Sequence, residues 1–318
     1  MTYKTLLATL ALCCAAATTW AQTPLRIITS DQAGGGMDSL IRPMADKLST
    51  LLGRPVLVDN RAGAQGRLAG KAVVDAAPDG NTLLITVQAG VVINPHVYPW
   101  PYKSLDDLLP VTDLGRGSML LLTPASLPVR DFKEFVAWLK AQPKGQVNFG
   151  TYSPGTISHF GGLLLGQELG LEMTAVHYKA SGDLMKDLVP GVVSFGWNGA
   201  AGPVTQLVRG GRLKALAYMG PNRLAVFPDV PTVRELGYPA IESDGWIGVF
   251  APKGTPTETV NRLQADIARV LALPEMRAAY QMFGFEPGGS SSADFARLVR
   301  SDFQRWGAYI KKIGYKAE

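Results

Sequence analysis

SDQAGGGMDSL, Ser30 to Leu40, places three consecutive glycines between a short β-type run, Leu25 to Thr29, and a helical pattern carrying Leu40, Ile41, Met44, Leu48 and Leu51 on one face. This order of strand, glycine loop and helix is the opening unit of an α/β fold. Glycines let a ligand approach the backbone without a Cβ in the way, and the first turn of the helix offers unpaired N–H groups with a partial positive charge. Gly34, Gly35 and Gly36 therefore read as an anion cradle, and Asp38 reads as the N-cap of the helix. Alone, the loop also reads as a plain tight turn.

A second loop bears on that choice. GTYSPGTISHF, Gly150 to Phe160, again follows a strand and opens a helix at about Thr156. It adds the hydroxyls of Thr151, Ser153 and Thr156 to its backbone donors, with Pro154 and Gly155 forming the turn. Two such cradles on two α/β series imply a cleft with a ligand held between them. Neither loop is a nucleotide motif, since no G-x-G-x-x-G follows the first strand and no Walker lysine is present.

Working outward, strands are expected at Val56–Asp59, Thr82–Val87, Met119–Thr123, Val147–Gly150, Thr174–His177, Val192–Trp197 and Leu213–Tyr218, alternating with helices. Pro43 inside the first helix removes a donor and is expected to distort its early turns. Thr255-Pro256-Thr257-Glu258 reads as a capping box for a helix with Val260, Leu263, Ile267 and Val270 inward, and Ser292 as the cap of a final helix. Phe295, Leu298, Val299, Trp306, Ile310 and Ile313 make the buried stripe of that helix.

Residues 1–21 read as a secretory signal: Lys4, an apolar core from Leu6 to Ala17, and Thr19-Trp20-Ala21 before Gln22. Both cysteines, Cys13 and Cys14, fall inside it, so the mature chain is expected to be exported, free of disulfides, and periplasmic. The apolar core is shorter than the roughly 20 residues a membrane span needs. The formal net charge of the 318-residue chain is +5, mildly basic, with cations scattered rather than clustered among aromatics. No nucleic-acid partner is expected.

Catalytic readings lack their parts. The three histidines, His96, His159 and His177, are far apart in sequence, and there is no G-x-S-x-G elbow and no H-E-x-x-H. His159, next to Ser158, is expected to brace the second loop and is counted with its ligand-facing residues. No cofactor, no metal and no enzymatic activity are expected.

The ordered set AGGGMD (Ala33–Asp38), VLVDNRAGAQG (Val56–Gly66), APDGNTLL (Ala77–Leu84), INPHVY (Ile93–Tyr98), the Gly150–Phe160 loop, HYKASGDLMKDL (His177–Leu188), GRLKALA (Gly211–Ala217), DVPTVRELG (Asp229–Gly237) and WIGVFAPKGTP (Trp246–Pro256) resembles the periplasmic solute-binding proteins of tripartite tricarboxylate transporters, which include the Bug receptors of Bordetella. The resemblance implies a two-domain α/β periplasmic binding protein fold of type II, a Venus flytrap with a cleft between its lobes. It implies lobe 1 at residues 22–122 plus 246–318 and lobe 2 at 123–245, the C-terminal segment crossing back to complete lobe 1. It also implies a small organic carboxylate bound by the loops at Ala33–Asp38 and Ser153–Thr156, and delivery to membrane permease subunits. A sensor presenting its solute to a histidine kinase is the alternative, and a monomer is expected.

Departures from the family pattern bear on the ligand. Ser30, Asp31 and Gln32 stand where an aromatic and a proline usually precede the glycines, Ser153-Pro154-Gly155 replaces a Gly-x-Gly, and the aspartate after the interior helix is absent at Val192-Val193-Ser194. The expected cleft walls are Asp31, Gln32, Gln88, Ala89, Tyr152, Trp197 and Asn198. A carboxylate is repelled by ionised Asp31, so an aromatic or nitrogen-bearing acid is expected in preference to citrate.

Overall fold

The computed structural model describes residues 23–315. The signal segment 1–21 lies outside them.

Leu25–Thr29 (β1) runs into Asp38–Leu52 (α1), followed by Val56–Asn60 (β2), Arg67–Val74 (α2) and Thr82–Val87 (β3). A single π-turn at Ala89–Ile93 and two short helical turns lead to Leu108–Gly117 (β4) and, after Ser118 alone, to Met119–Pro124 (β5). The second series is Phe132–Ala141 (α3), Asn148–Thr151 (β6), Ile157–Leu169 (α4), Thr174–His177 (β7), Ser181–Leu188 (α5), Phe195–Gly199 (β8), Gly202–Arg209 (α6) and Leu213–Tyr218 (β9). The chain returns as Gly245–Pro252 (β10), Thr257–Leu271 (α7), Pro274–Met282 (α8), Glu286–Pro287 (β11) and Ser292–Ile313 (α9).

Two mixed sheets result. The first is ordered β11-β4-β10-β3-β1-β2 and the second β7-β6-β8-β5-β9. β1 pairs in parallel with both β2 and β3, as strands joined by crossover helices must, while β10 is antiparallel to β3 and β4. The architecture shows the α/β order expected from the alternating pattern, in the two-sheet, two-lobed form that the family resemblance implies.

Local signals explain most of the elements. Asp131 caps α3 by accepting the Glu134 N–H at 2.8 Å, and the buried faces of α7 and α9 carry Val260, Leu263, Ile267 and Val270, and Phe295, Val299, Trp306 and Ile310. Full burial of each such side chain contributes about 1.5–3 kcal/mol. Pro43 lies inside α1, as expected. Two local expectations are corrected. The capping box at Thr255 is not formed, because the Thr255 hydroxyl donates to the Pro252 carbonyl at 2.8 Å and α7 begins at Thr257. Ser291 rather than Ser292 caps α9, and Ser292 donates instead to the Pro110 carbonyl at 2.6 Å.

The chain passes between sheets at Ser118 and again at Ser243–Asp244, and these passages are stitched together. The buried Ser118 hydroxyl donates to the Ser243 carbonyl, the Ser118 N–H donates to the Tyr218 hydroxyl at 2.9 Å, and Gly245 pairs with Gly117. A Cβ at Gly245 would stand 2.6 Å from the Gly117 carbonyl oxygen, so only glycine lets the two passages lie this close. α9 also bridges the sheets, setting Trp306 and Tyr309 against Phe160 of α4 at centroid separations of 5.4 and 5.9 Å.

Candidate functional site

Beside these passages lies a cavity of about 180 Å³ lined by Val87, Gln88, Ala89, Gly117, Met119, Tyr152, Thr156, Ile157, Gly245, Trp246 and Phe285. It takes the end of β3 from one sheet and the opening of α4 from the other, so a ligand there touches both.

The floor is pinned from the C-terminal helix. Asp302, buried on α9, accepts the Gln88 amide N–H at 2.7 Å and the Trp246 indole N–H at 2.9 Å through one oxygen, while Arg305 donates to the other at 3.1 Å. The second Gln88 amide hydrogen goes to the Asp244 carbonyl, with the nitrogen at 3.0 Å. Burial, reinforced by Asp302, Asp113 and Glu242 and opposed by Arg116, pushes the Asp244 carboxyl up to about 6.

The second glycine loop forms the opposite wall. Thr156 caps α4, its hydroxyl donating to the Ser153 carbonyl at 2.8 Å and accepting the His159 N–H at 3.4 Å. Gly155 adopts φ +71°, and its N–H donates to His159 Nδ1 at 3.3 Å. Burial, with the His177 ring 4.8 Å away, lowers His159 to about 4, so the ring is neutral and its Nδ1 is an acceptor. Among the described residues, the N–H groups of Thr156, Ile157 and Ser158 have no acceptor. Tyr152 places its hydroxyl 3.8 Å from the Met119 sulfur. Asn94 and Tyr98 of the INPHVY segment face Gly155: a Cβ there would stand 3.4 Å from Asn94 Oδ1 and 3.7 Å from the Tyr98 hydroxyl.

The first glycine loop is arranged differently. Asp38 is the first residue of α1 rather than its N-cap, and it is buried. Its carboxylate accepts from the Gly34 N–H at 2.8 Å, Arg42 Nε at 2.8 Å and Asn60 Nδ2 at 2.8 Å. Burial works against its charge, but these donors outweigh it and bring the pKa to about 2. The Gln32 carbonyl accepts the Gly35 N–H at 3.0 Å, and Gln32, Ala33, Gly34 and Gly36 are exposed. The half-buried Asp31 accepts the Asp38 N–H through Oδ2 at 2.9 Å.

Thus Gln88, Ala89, Tyr152 and Thr156 line the cavity, whereas Asp31 to Asp38 border a separate loop at the end of β1. Two expected wall residues are corrected. Trp197 is wholly buried, its ring beside Gly161, because both faces of β8 are covered. Asn198 is 4% exposed and spends its amide on Ser181 and Gly199. Sequence reading missed Met119, Trp246, Phe285 and the passage glycines Gly117 and Gly245. Their only signal is the WIGVF run, whose partner across the sheet is not readable from spacing. Among the described residues no group of acids and histidines could hold a metal, and no helix is long and apolar enough to cross a membrane.

The family model described as "Tripartite tricarboxylate transporter family receptor" matches residues 40–315. BugT of Bordetella pertussis is 32% identical over 305 residues, covering 94% of this chain and 92% of BugT. Among solved structures, an R. palustris protein with adipate is 29% identical at a TM-score of 0.80, covering 94% of this chain and 100% of that one. MatC from Rhodopseudomonas palustris with bound malate is 28% identical at a TM-score of 0.76, covering 90% of this chain and 99% of that one.

Proposed function

The chain belongs to the tripartite tricarboxylate transporter receptor family, and from that premise we propose that it is a periplasmic receptor which closes two lobes on a small organic carboxylate and hands it to membrane permease subunits. The lobes divide where the chain passes between the sheets, at Ser118 and at Ser243–Asp244, slightly before the expected boundaries at 122/123 and 245/246, because Met119–Leu122 of β5 pair with β8 and β9 of the second sheet and Gly245 opens β10 of the first. The observation that carries this reading is the row of unpaired N–H groups at Thr156, Ile157 and Ser158 at the start of α4, where Thr156 and Ile157 line the cavity between the sheets. Hydrogen bonds from such donors to an ionised carboxylate are short and strong, and a water-poor cleft raises their value. The protein's part is to bind and release its solute unchanged.

The cavity favours a compact ligand with an apolar body. Its walls are mainly Val87, Met119, Ile157, Trp246 and Phe285, and about 180 Å³ suits a mono- or dicarboxylate of modest length. Aromatic and nitrogen-bearing acids fit this lining better than citrate, whose carboxylates outnumber the donors at α4 in a mainly apolar cavity.

Calorimetry with adipate, malate, citrate, benzoate and 4-aminobutyrate tests the reading, alongside Ile157→Pro. Ile157 is the first residue of α4, where proline is tolerated but supplies no N–H. Ile157→Pro should weaken carboxylate binding at least tenfold while Ile157→Val, which keeps the donor, stays close to wild type. Equal affinity in both variants, or no binding of any acid by the wild type, would overturn the assignment.

A further inference from the structure

Taking the carboxylate at the start of α4 as given, we propose that Gln88 is a specificity-determining residue whose amide oxygen is a fixed acceptor on the lobe 1 side of the cavity, so that the preferred ligand is an acid carrying a hydroxyl or N–H group to donate to it.

The side chain of Gln88 is not free to turn. It lies just after β3, is 1% exposed, and lines the cavity beside Trp246. Its backbone N–H donates to the Trp246 carbonyl at 2.9 Å, and its carbonyl accepts the N–H groups of Val91 and Val92, each at 3.0 Å. Both amide hydrogens are spent on acceptors, the Asp244 carbonyl at 3.0 Å and Asp302 Oδ2 at 2.7 Å. Turning the amide over would set its oxygen against a carbonyl and a carboxylate, so these two partners decide which end is nitrogen. Asp302 is held in place in turn by the Trp246 indole N–H and by Arg305.

What remains is Oε1. It is shut off from solvent and has no donor among the described residues. Of the side chains that line the cavity, Gln88 is the one with a buried polar atom in this state. Buried polar atoms are as a rule hydrogen-bonded, so one left over on a cavity wall points to a partner from outside the chain.

The other polar groups of the lining do not fill this role. The N–H groups of Thr156 and Ile157 are open donors, the Thr156 hydroxyl is spent on the Ser153 carbonyl and the His159 N–H, and the Tyr152 hydroxyl lies against the Met119 sulfur. The cavity thus takes donors from one sheet and an acceptor from the other. A second ionised carboxylate would bring only acceptors to Oε1, and an apolar end would leave it unpaired. A site built around such a group rejects an analogue that lacks the matching donor. The ligand class is therefore a hydroxy-, amino- or amide-bearing carboxylic acid, its acid end on α4 and its donor on Gln88.

The test is calorimetry with acids that differ by one donor: 4-hydroxybenzoate against 4-fluorobenzoate, and 6-hydroxyhexanoate and 6-aminohexanoate against hexanoate, in the wild type, Gln88→Met and Gln88→Ala. Fluorine is close to hydroxyl in size and donates nothing, and methionine keeps the length of glutamine without its oxygen. Melting curves identify which variant is folded, and Gln88→Ala serves if Gln88→Met does not fold. In one pair at least, the wild type should bind the donor-bearing acid at least tenfold more tightly. A folded variant should shrink that ratio at least tenfold, with the loss falling on the donor-bearing acid. In wild-type protein labelled with 13C-glutamine, the side-chain carbonyl resonance of Gln88 should shift with the donor-bearing acid and not with its partner, a readout that needs no variant. Equal affinities within every pair, variants that keep the wild-type ratio, or a resonance that moves alike with both members would overturn the role of Gln88 while leaving the α4 site intact. Failure of every acid to bind the wild type would overturn both.

Discussion

The backbone N–H of Gly155 donates to Nδ1 of His159 at 3.3 Å, one helical turn further along the chain. This fixes the loop that opens on the cavity, and it requires a neutral imidazole with its proton on Nε2. His159 is 3% exposed, with His177, Phe149, Phe160 and Tyr315 around its ring.

Acid should therefore loosen this loop. His159 sits at about 4 in the fold against 6.5 for the unreacted side chain, so the unfolded state binds more protons between those values. Its contribution is complete above pH 6.5 and is lost as pH falls toward 4, with a slope approaching about 1.4 kcal/mol per unit. Asp244 opposes it: raised to about 6, it favours the fold at low pH and costs stability as pH rises from 3.8 to 6. Chemical denaturation of wild type and His159→Gln at several pH values separates the two, and the variant should show the smaller acid loss. Parallel curves would refute the assignment.

Asp244→Asn should stabilise the protein at pH 7 by about 1 kcal/mol, because it removes a partly buried charge facing Asp302, Asp113 and Glu242. The gain should vanish near pH 4, where the wild-type carboxyl is protonated. Denaturant midpoints at the two pH values measure it.

Asp38→Ala should cost about 2 kcal/mol, since it strips the Gly34 N–H and the Asn60 amide of their shared acceptor and frees Arg42. Arg42 is half-exposed and can rehydrate, which keeps the loss below that of a fully buried pair. Thermal melts at neutral pH read this directly.

Ser118→Ala should cost about 1–2 kcal/mol by leaving the Ser243 carbonyl without its donor in a buried passage between sheets. The same change should loosen the coupling of the two lobes, which small-angle scattering with and without ligand would detect as a larger change in radius.

Gly155→Ala should weaken binding at least tenfold and lower stability by about 1 kcal/mol, because φ +71° disfavours a side chain and the new Cβ would crowd Asn94 and Tyr98. Calorimetry against the tightest acid of the panel, with a melting curve as control, gives both numbers.

Sequence by itself determined the α/β alternation, the two glycine loops after β1 and β6 and the inward stripes of α7 and α9. These are written in local patterns: hydrophobic period, glycine position and helix-start residues act within a few positions of themselves. Tertiary structure alone decided the rest. β4 hides behind Pro110 and Asp113 and becomes a strand through its pairing with β10. Trp197 is buried because both faces of β8 are covered, and Gln88 is held by Asp302, 214 residues away. Asp31 reaches the N–H of Asp38, seven positions on, only because the loop folds back over the start of α1. Polar groups choose partners by position in space, and burial of a strand face depends on what packs over it, so neither follows from the order of residues along the chain.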